Sequence, residues 1–511
     1  MTRWVWLLVI LGSVAGAEDA EPWRSALYPA DWAPSFGAAD GRFLHDFSYA
    51  GYRRGEQTIP DRKAPVIRVA SGKGDRTAAI QSKLDEAARR GGAIVLLPEG
   101  TLLVEGTLSI RGSGIILRGA GAEKTRIRFT RADGLNGKAN LMAIGRLLRG
   151  PAIALAEDAP NRARSVKLQS VADLRVGDTV ALGLVVDGAF RAAHGMGKYW
   201  KFAAGKWRAL FRREITAIDT QARRVSLDIP LRYPLPTAHA ASLRVEKGYL
   251  ENVGIEDLSV CNAIGDDAAW KATRVHAIEL RDCRDSWVRR VRSFAAVEGG
   301  RHLQSGGIRV RSCARVTVAN CVLARPQHRG GGGNGYLFEV MQSGEVLTVD
   351  CKASEGRHNF IANWDLGTSG CVWLRCHSAD GKAVFARRGE VGVVGLSEFH
   401  HALAMACLVD NCVLDDGWKA ANRLRESSGA GHTATECVFW RVGGRGVLRC
   451  HQFGLGYIIG TGSRVLVDTA IGSRGSLGTE PEDSVEGLGR AATLQPASLY
   501  EDQLRRRRAL R

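Results

Sequence analysis

Several features that mark other protein classes are missing from this sequence. Its 511 residues include eleven cysteines but no Cys-x-x-Cys pair, which argues against a structural zinc site. No helix-turn-helix, zinc-finger or single-strand-binding pattern occurs, so nucleic acid is not an expected partner. Proline is scarce, with 14 residues against 61 glycines, while 45% of the residues are hydrophobic. The length and the hydrophobic content indicate a globular chain that can bury a large core.

Long apolar runs are also missing, except at the N terminus. Residues 4–11 are apolar, Arg3 precedes them, and Ala15 and Ala17 form a cleavage-site pattern. We therefore predict a signal peptide at 1–17, which is too short to span a bilayer. We expect a protein that is secreted or periplasmic and has no membrane span, and the sequence leaves its oligomeric state unknown.

The cysteines that are present follow a repeat. Cys321, Cys351, Cys376, Cys412 and Cys437 each end a short β-branched or aliphatic run, at steps of 30, 25, 36 and 25 residues. Such irregular steps do not suit propeller blades, but they suit a parallel β-solenoid, which keeps its strands and varies its loops. We expect these side chains to stack inside the solenoid in one strand phase, not to form a disulfide framework.

Residues 66–131 carry two motifs that point to a family. Arg76-Thr77-Ala-Ala-Ile-Gln81 predicts a helix that Thr77 caps, with Ile80 and Leu84 facing inward, and a glycine-bounded strand and turn follow at 91–102. Both resemble the start of the pectate-lyase superfamily. The resemblance implies an all-β, right-handed parallel β-helix with an N-terminal capping helix. It also implies a secreted carbohydrate-active protein of pectate lyase 3 or polygalacturonase-like type, although this fold hosts several activities.

The pattern of the chain suggests six parts. We predict the signal peptide, an aromatic-rich segment at 18–65 that wraps the body and caps or flanks the first coil, and first coils at 66–131. An inserted β subdomain at 132–249, main coils at 250–467 and a polar basic tail at 468–511 follow. The arginine run at 505–508 is expected to be a solvated terminus. The net charge of +18 favours an acidic polysaccharide as the partner.

Loops of successive coils should align into a groove, and their side chains suit β-elimination of a uronate polysaccharide. That reaction needs a cation for the carboxylate, a base, and a group that protonates the leaving oxygen. The predicted catalytic residues are Arg357, His358, Asp365, Asp415, Asp416, Lys419, Arg423 and His432. The predicted substrate-binding residues are Arg325, His328, Glu355, Trp364, His400, His401, Trp418, Asn422 and Glu426.

Several alternatives stay open at this point. The three aspartates could hold a calcium ion or orient the bases. Asp415 and Asp416 with His432 resemble elements of polygalacturonase-type hydrolases, which use two carboxyl groups. A noncatalytic adhesin is the third alternative, although the dense charges at 415–432 favour catalysis. Because neighbours in a strand point to opposite faces, we expect at most one of His400 and His401 to face the groove.

Overall fold

The computed structural model describes residues 21–61, 64–296, 298–384, 392–470 and 481–510. The predicted signal peptide therefore lies outside the described residues. The chain winds as a right-handed parallel β-helix, which confirms the predicted fold. One coil runs through Thr317–Ala319, Val322–Ala324 and Tyr336–Met341, and the next begins at Leu347–Val349. Each strand pairs in parallel with its counterpart in the next coil, so the coils build three long sheets.

The strands of the three sheets are as follows. The first sheet contains Val66–Arg68, Ile94–Leu96, Ile116–Arg118, Thr317–Ala319, Leu347–Val349, Val372–Leu374, Leu408–Asp410, Val438–Val442, Tyr457–Thr461 and Ser484–Glu486. The second contains Gly100–Val104, Thr125–Phe129, Val322–Ala324, Lys352–Ser354, His377–Ala379 and Val413–Leu414, and Gly254–Cys261 and Trp287–Ser293 pass through both. The third contains Leu108–Ile110, Ala139–Ile144, His276–Arg281, Gly306–Arg311, Tyr336–Met341, His358–Asn363, Ser397–Phe399, Gly417–Ala421, Val447–His451 and Leu466–Asp468.

Short elements complete the coils. Parallel pairs form between Leu250–Glu251 and Cys283–Arg284 and between Ala404–Met405 and Ala434–Thr435, and a hairpin joins Lys382–Val384 to Gly392–Val394. The α-helices are Thr77–Arg89, Gly188–Ala193, Asp266–Lys271, Glu426–Gly429 and Leu499–Ala509, and the 3-10 helices are Tyr52–Gly55, Thr237–His239, Glu298–Gly300 and Ala491–Thr493. We call Thr77–Arg89 the cap helix and Leu499–Ala509 the C-terminal helix.

The cysteines stack inside the coils, but in more than one column. Cys321, Cys351, Cys376 and Cys412 share the corner between the first and second sheets. The prediction that Cys437 belongs with them is wrong, because it precedes a first-sheet strand and stacks on Cys407. The sequence does not distinguish the two positions, because a residue with left-handed backbone precedes the cysteine at each of them: Asn411 precedes Cys412, and Glu436 precedes Cys437.

All eleven cysteines are buried and free. The predicted stacking of cysteine side chains is therefore seen in the interior of the coils. Because a thiol behaves as a small hydrophobic group, these columns continue the apolar interior formed by valine and leucine in neighbouring coils.

The cap helix closes the first coil. Ile80 and Leu84 enter the main core as predicted. Thr77 is not the cap, however, since it is the first helical residue and its backbone N–H donates to Asp75 Oδ1 at 2.9 Å. The aspartate side chain satisfies an N–H group that has no partner within the helix.

The inserted subdomain is shorter than predicted. Ala139–Ile144 pairs with the third sheet, so the antiparallel insertion begins at Leu148 and not at residue 132. Its strands are Leu148–Arg149, Ile153–Ala154, Ser165–Lys167, Thr179–Val185, Trp207–Asp219, Arg224–Leu227 and Ser242–Lys247. Trp200 is fully buried in the subdomain core.

The two ends of the described chain form a strap over the first sheet. Leu27, Tyr28, Trp32 and Phe47 pack with the C-terminal helix on the outward side chains of that sheet, and Tyr52 reaches Trp287 near the first coils. The N-terminal segment therefore flanks the coils, as one predicted alternative had it.

The arginine run at 505–508 is not a solvated terminus. The guanidinium of Arg507 lies 4.2 Å from the centre of the Tyr49 ring and donates to Glu56, and Arg506 donates to Asp502 and to the Ala30 carbonyl. Arg506 and Arg507 therefore attach the C-terminal helix to the N-terminal segment.

Candidate functional site

A cavity of about 600 Å³ opens on the outer face of the third sheet. The strands at Gly306–Arg311, Tyr336–Met341 and His358–Asn363 form its floor. Loop residues Gly332 and Gly333 bound one side, and Trp364 and Ser427 bound the other. A volume of this size is typical of small-molecule and saccharide sites.

Basic side chains dominate the cavity lining. Four arginines and three histidines line it, namely Arg274, Arg309, Arg311, Arg357, His276, His400 and His401. Among the described lining residues Glu339 is the one carboxylate. The cavity is therefore built to attract an anion.

Glu339 is held as a charged group. His276 Nε2 lies 2.9 Å from its Oε2, and Asn363 donates to its Oε1 at 2.5 Å. Although burial opposes ionisation, the interaction with His276 and the charge of Arg309 lower the pKa of Glu339 to about 2. This carboxylate already has partners and is not a free acid.

The arginines divide into two kinds. Arg309 pairs with Glu279 at 3.0 Å, and Arg357 donates to the Gly330 carbonyl at 2.7 Å. Arg274 and Arg311 form no ion pair with a carboxylate in the described part of the chain. Two guanidinium groups that face the cavity are therefore available for a ligand.

A cluster of buried polar groups lies at one edge of the cavity. Glu398 Oε2 is 3.6 Å from His358 Nε2 and 3.9 Å from His400 Nε2, and all three side chains are buried. Burial lowers the pKa of both histidines well below its ordinary value, and the charges of Arg357 and Arg423 add to the effect. Both rings are therefore neutral near pH 7.

Cations surround the carboxylate of this cluster. Arg423 Nη1 lies 2.9 Å and Lys419 Nζ 3.7 Å from Glu398. Burial raises the pKa of Glu398, and the two cations oppose that rise. Glu426 pairs with Arg423 at 3.3 Å on the solvent side.

The inserted subdomain braces the rim of the cavity. The Trp364 ring packs between Phe202 and His401, at centroid distances of 5.5 and 4.7 Å. The Trp200 indole donates to the Ala430 carbonyl at 2.8 Å. The insertion thus fixes the loop that carries Arg423 and Ser427.

The structure brings about half of the predicted site residues together. Arg357, Trp364, His400 and His401 line the cavity, and His358, Lys419, Arg423 and Glu426 surround Glu398. The expectation that at most one of His400 and His401 faces the groove is wrong. The strand ends at Phe399, so the alternation no longer applies at His401.

The three aspartates do not share one site. Asp365 pairs with Arg208 at 2.7 Å, Asp415 with His377 at 2.9 Å, and Asp416 accepts from Asn359 at 2.8 Å. Asp416 is buried and also accepts from Gly381 N at 3.1 Å, and burial raises its pKa to about 6. They therefore form neither a calcium cage together nor a hydrolase pair facing the cavity.

The remaining predicted residues have structural surroundings. Trp418 points into the core, because it alternates with the outward Lys419. His432 packs on Phe453, and burial lowers its pKa to about 4. The other predicted residues also have local partners: Asn422 accepts from Leu424 N, His328 packs against Trp270, and Arg325 pairs with Glu355.

Sequence reasoning missed His276, Arg309, Arg311, Tyr336 and Glu339. Their signal was the alternation within third-sheet strands, where polar residues at every second position follow inward aliphatic ones, as in Ile308-Arg-Val-Arg311. The prediction favoured loops, because loops usually carry function. Here the strands themselves supply the cavity floor.

Comparisons with known proteins give low similarities. No protein-family model and no curated protein matches the chain. A tailspike of Acinetobacter baumannii bacteriophage AP22, solved with capsular saccharide, is 10% identical over 80% of this chain and 66% of that chain, with a TM-score of 0.46. A surface adhesin of Streptococcus pneumoniae is 12% identical over 84% and 90% of the two chains, with a TM-score of 0.40.

An exopolygalacturonase from Thermotoga maritima is 10% identical over 84% of this chain and 80% of that chain, with a TM-score of 0.34. Similarities at this level assign no activity, so a function has to be argued from the cavity. In the described residues, no helix combines the length and apolarity that a bilayer span requires.

Proposed function

We propose that this protein is an enzyme that degrades an acidic, uronate-containing polysaccharide, and that it binds the chain in the third-sheet cavity and cleaves it by β-elimination. The observation that carries the proposal is the cavity lining, in which four arginines face a single carboxylate. Such a lining favours a substrate that brings its own negative charges.

Arg274 and Arg311 are the residues proposed to hold the substrate carboxylate. Neither guanidinium forms an ion pair with a carboxylate among the described residues, and both line the cavity. A guanidinium group matches a carboxylate through two parallel hydrogen bonds. Neutralising a uronate carboxylate makes the adjacent C–H more acidic, which is the first requirement of elimination.

The number of carboxyl groups that face the cavity supports elimination over hydrolysis. Hydrolysis of a glycosidic bond uses two carboxyl groups that flank it. Glu339 lines the cavity, but Glu398 is buried behind the lining and pairs with Arg423 at 2.9 Å. A β-elimination needs no second carboxylate, because other groups can move the proton.

One observation favours hydrolysis as the second candidate. Glu339 and Glu398 occupy the same column of the third sheet, two coils apart. Two coil spacings place their backbones about 10 Å apart, close to the wide carboxyl separation of inverting glycosidases. Hydrolysis would require Arg423 to release Glu398 toward the substrate.

The test is product analysis with the purified full-length protein. Pectate-type, alginate-type and neutral glycans are incubated with it, and ultraviolet absorbance, new reducing ends and binding are recorded. Elimination predicts an absorbing unsaturated uronate from an acidic glycan and no product from neutral ones. Reducing ends without absorbance would replace elimination by hydrolysis, and binding without products would leave a noncatalytic module. Absence of binding to every acidic glycan would contradict the proposal.

A further inference from the structure

The geometry points to a transition-metal site formed by His358 Nε2, His400 Nε2 and a Glu398 carboxylate oxygen. These three groups come from adjacent strands of the third sheet, His358–Asn363 and Ser397–Phe399, or directly follow them. Their ligand atoms all lie within 4.8 Å of one another. Two imidazoles and one carboxylate are a common ligand set for first-row transition metals.

Hydrogen bonds on the far side of each ring fix the tautomers. His358 Nδ1 lies 2.6 Å from the Leu396 carbonyl, which can only accept, so Nδ1 carries the proton. His401 Nε2 likewise donates to the Ser427 carbonyl at 2.7 Å, which leaves His401 Nδ1 as the acceptor for His400 Nδ1 at 2.6 Å. In both neutral rings Nε2 then presents a lone pair toward Glu398.

This arrangement is the usual support of a metal-bound histidine. Such a histidine donates its other N–H to a carbonyl or to another acceptor, which fixes the ring and raises the basicity of the metal-binding nitrogen. The backbone carbonyl of Leu396 does this for His358, and His401 does it for His400.

The two Nε2 atoms have no hydrogen-bond partner. Both are fully shielded from solvent, and neither finds a donor in the described structure. Buried polar atoms normally have a partner, since an unpaired one has lost its hydrogen bonds to water without a replacement. Two such lone pairs aimed at one carboxylate indicate that a cation belongs between them.

The distances require a small contraction. Bonds of 2.0–2.1 Å in a tetrahedral site place ligand atoms about 3.3 Å apart. The separations from Glu398 Oε2 to the two nitrogens are 3.6 and 3.9 Å. Rotations of the side chains that move each atom by less than about 1 Å would close the site, which is within ordinary side-chain adjustment.

The charge of the surroundings tunes the affinity and the choice of metal. Arg423 and Lys419 lie beside Glu398 and add positive charge near the ion, so we expect weaker binding than in a structural zinc site. Calcium is not expected here, because it takes six to eight oxygen ligands. His400 lines the cavity, so a remaining coordination position would face the substrate.

This inference concerns metal binding alone, and a role for the metal in cleavage would rest on the proposed function. The experiment titrates chelator-stripped full-length protein with Zn²⁺ by calorimetry and records the visible spectrum with Co²⁺. We expect one equivalent at micromolar or tighter Kd, visible Co²⁺ bands from nitrogen ligation, and no displacement by millimolar Ca²⁺. Failure to bind Zn²⁺, or a Co²⁺ spectrum identical to that of the free ion, would overturn the site whatever the glycan assays show.

Variants locate the site. His358→Gln and His400→Gln should each weaken Zn²⁺ binding at least 100-fold, and Glu398→Gln at least 10-fold. His377→Gln is the matched control, because His377 lies in the second sheet and pairs with Asp415 at 2.9 Å; its Kd should not change. Equal Kd values for the wild type and His400→Gln would refute the assignment. If a variant does not fold, the Co²⁺ spectrum of the wild type still decides.

Discussion

The first and third sheets of this β-helix have opposite outer faces. On the first sheet Val372, Leu408, Val438 and Tyr457 point outward in one column, and the strap covers them. On the third sheet most outward side chains at the cavity are polar, such as Arg309, Arg311 and Glu339, although Met341 also lines it. Both sheets alternate inward and outward side chains in the same way, so the chemistry of the outward column decides whether a sheet acquires a cover or a ligand.

The difference has a simple energetic basis. Burial of apolar surface stabilises the folded state by roughly 25 cal/mol per Å². An apolar outer column on the first sheet therefore favours attachment of the strap formed by the chain termini. Arginine and glutamate side chains would lose hydration under such a cover. The third sheet therefore stays accessible at the cavity, where the Arg311 guanidinium can act on a ligand.

Trp440→Ala on the covered face should cause the largest loss of stability. Trp440 is fully buried, its indole donates to the Pro496 carbonyl at 3.0 Å, and its ring packs on Tyr28. Loss of a large buried ring should reduce the free energy of unfolding by about 3–5 kcal/mol. Denaturant unfolding measures this effect, and glycan affinity of the folded variant should stay within about twofold.

Trp364→Ala is the matched control on the open face. Trp364 is 40% exposed on the cavity rim, so its removal should cost less than about 1 kcal/mol of stability, as for other surface substitutions. Equal destabilisation by the two substitutions would show that the faces do not differ as argued.

The second prediction concerns pH and the attachment of the strap. Asp410 is buried on the covered face and accepts from Ser498 Oγ at 2.7 Å and Tyr500 N at 2.9 Å. Burial raises its pKa to about 7, and the charge of Glu501 adds to the effect. The unfolded value is about 3.9, so between these values the folded state holds a proton that the unfolded state lacks.

Stability should therefore fall as pH rises from about 4 to about 7, by up to about 4 kcal/mol from this group. Asp410→Asn should flatten that part of the profile, as measured by chemical unfolding at several pH values. The buried Asp483, whose pKa burial raises to about 6, remains in both proteins as an internal reference. An unchanged slope in Asp410→Asn would mean that Asp410 stays ionised in the folded protein.

The fold could be read from the sequence because its signals are local. A cysteine after an aliphatic run marks an interior column, and the motif at 76–81 marks the cap helix. The assignment of Cys437 failed because two corners of the coil use the same local pattern, a left-handed residue followed by an inward side chain. A repeat identifies the winding, but does not say at which corner each copy lies.

The site was harder to predict because it depends on which residues of neighbouring coils lie side by side in the sheet. His276 and Glu339 are 63 residues apart, yet they lie 2.9 Å from each other on strands separated by one other strand. The dense charges at 415–432 attracted the prediction, although Asp415, Asp416 and His432 serve turns and packing. Charge density along the chain did not indicate which side chains converge.

The last prediction concerns Arg311 on the open face. Arg311 lines the cavity without a carboxylate partner in the described chain, so Arg311→Ala should leave the melting temperature almost unchanged. A lost hydrogen bond to a charged group is worth about 1.5–3 kcal/mol, which corresponds to a roughly 10- to 100-fold weaker affinity for the acidic glycan. Arg449→Ala is the control, because Arg449 points outward from the same sheet beside Asp468 but does not line the cavity. Calorimetric titration of both variants tests the assignment: equal losses would indicate general attraction by the basic surface, whereas a loss confined to Arg311→Ala would locate the carboxylate in the cavity.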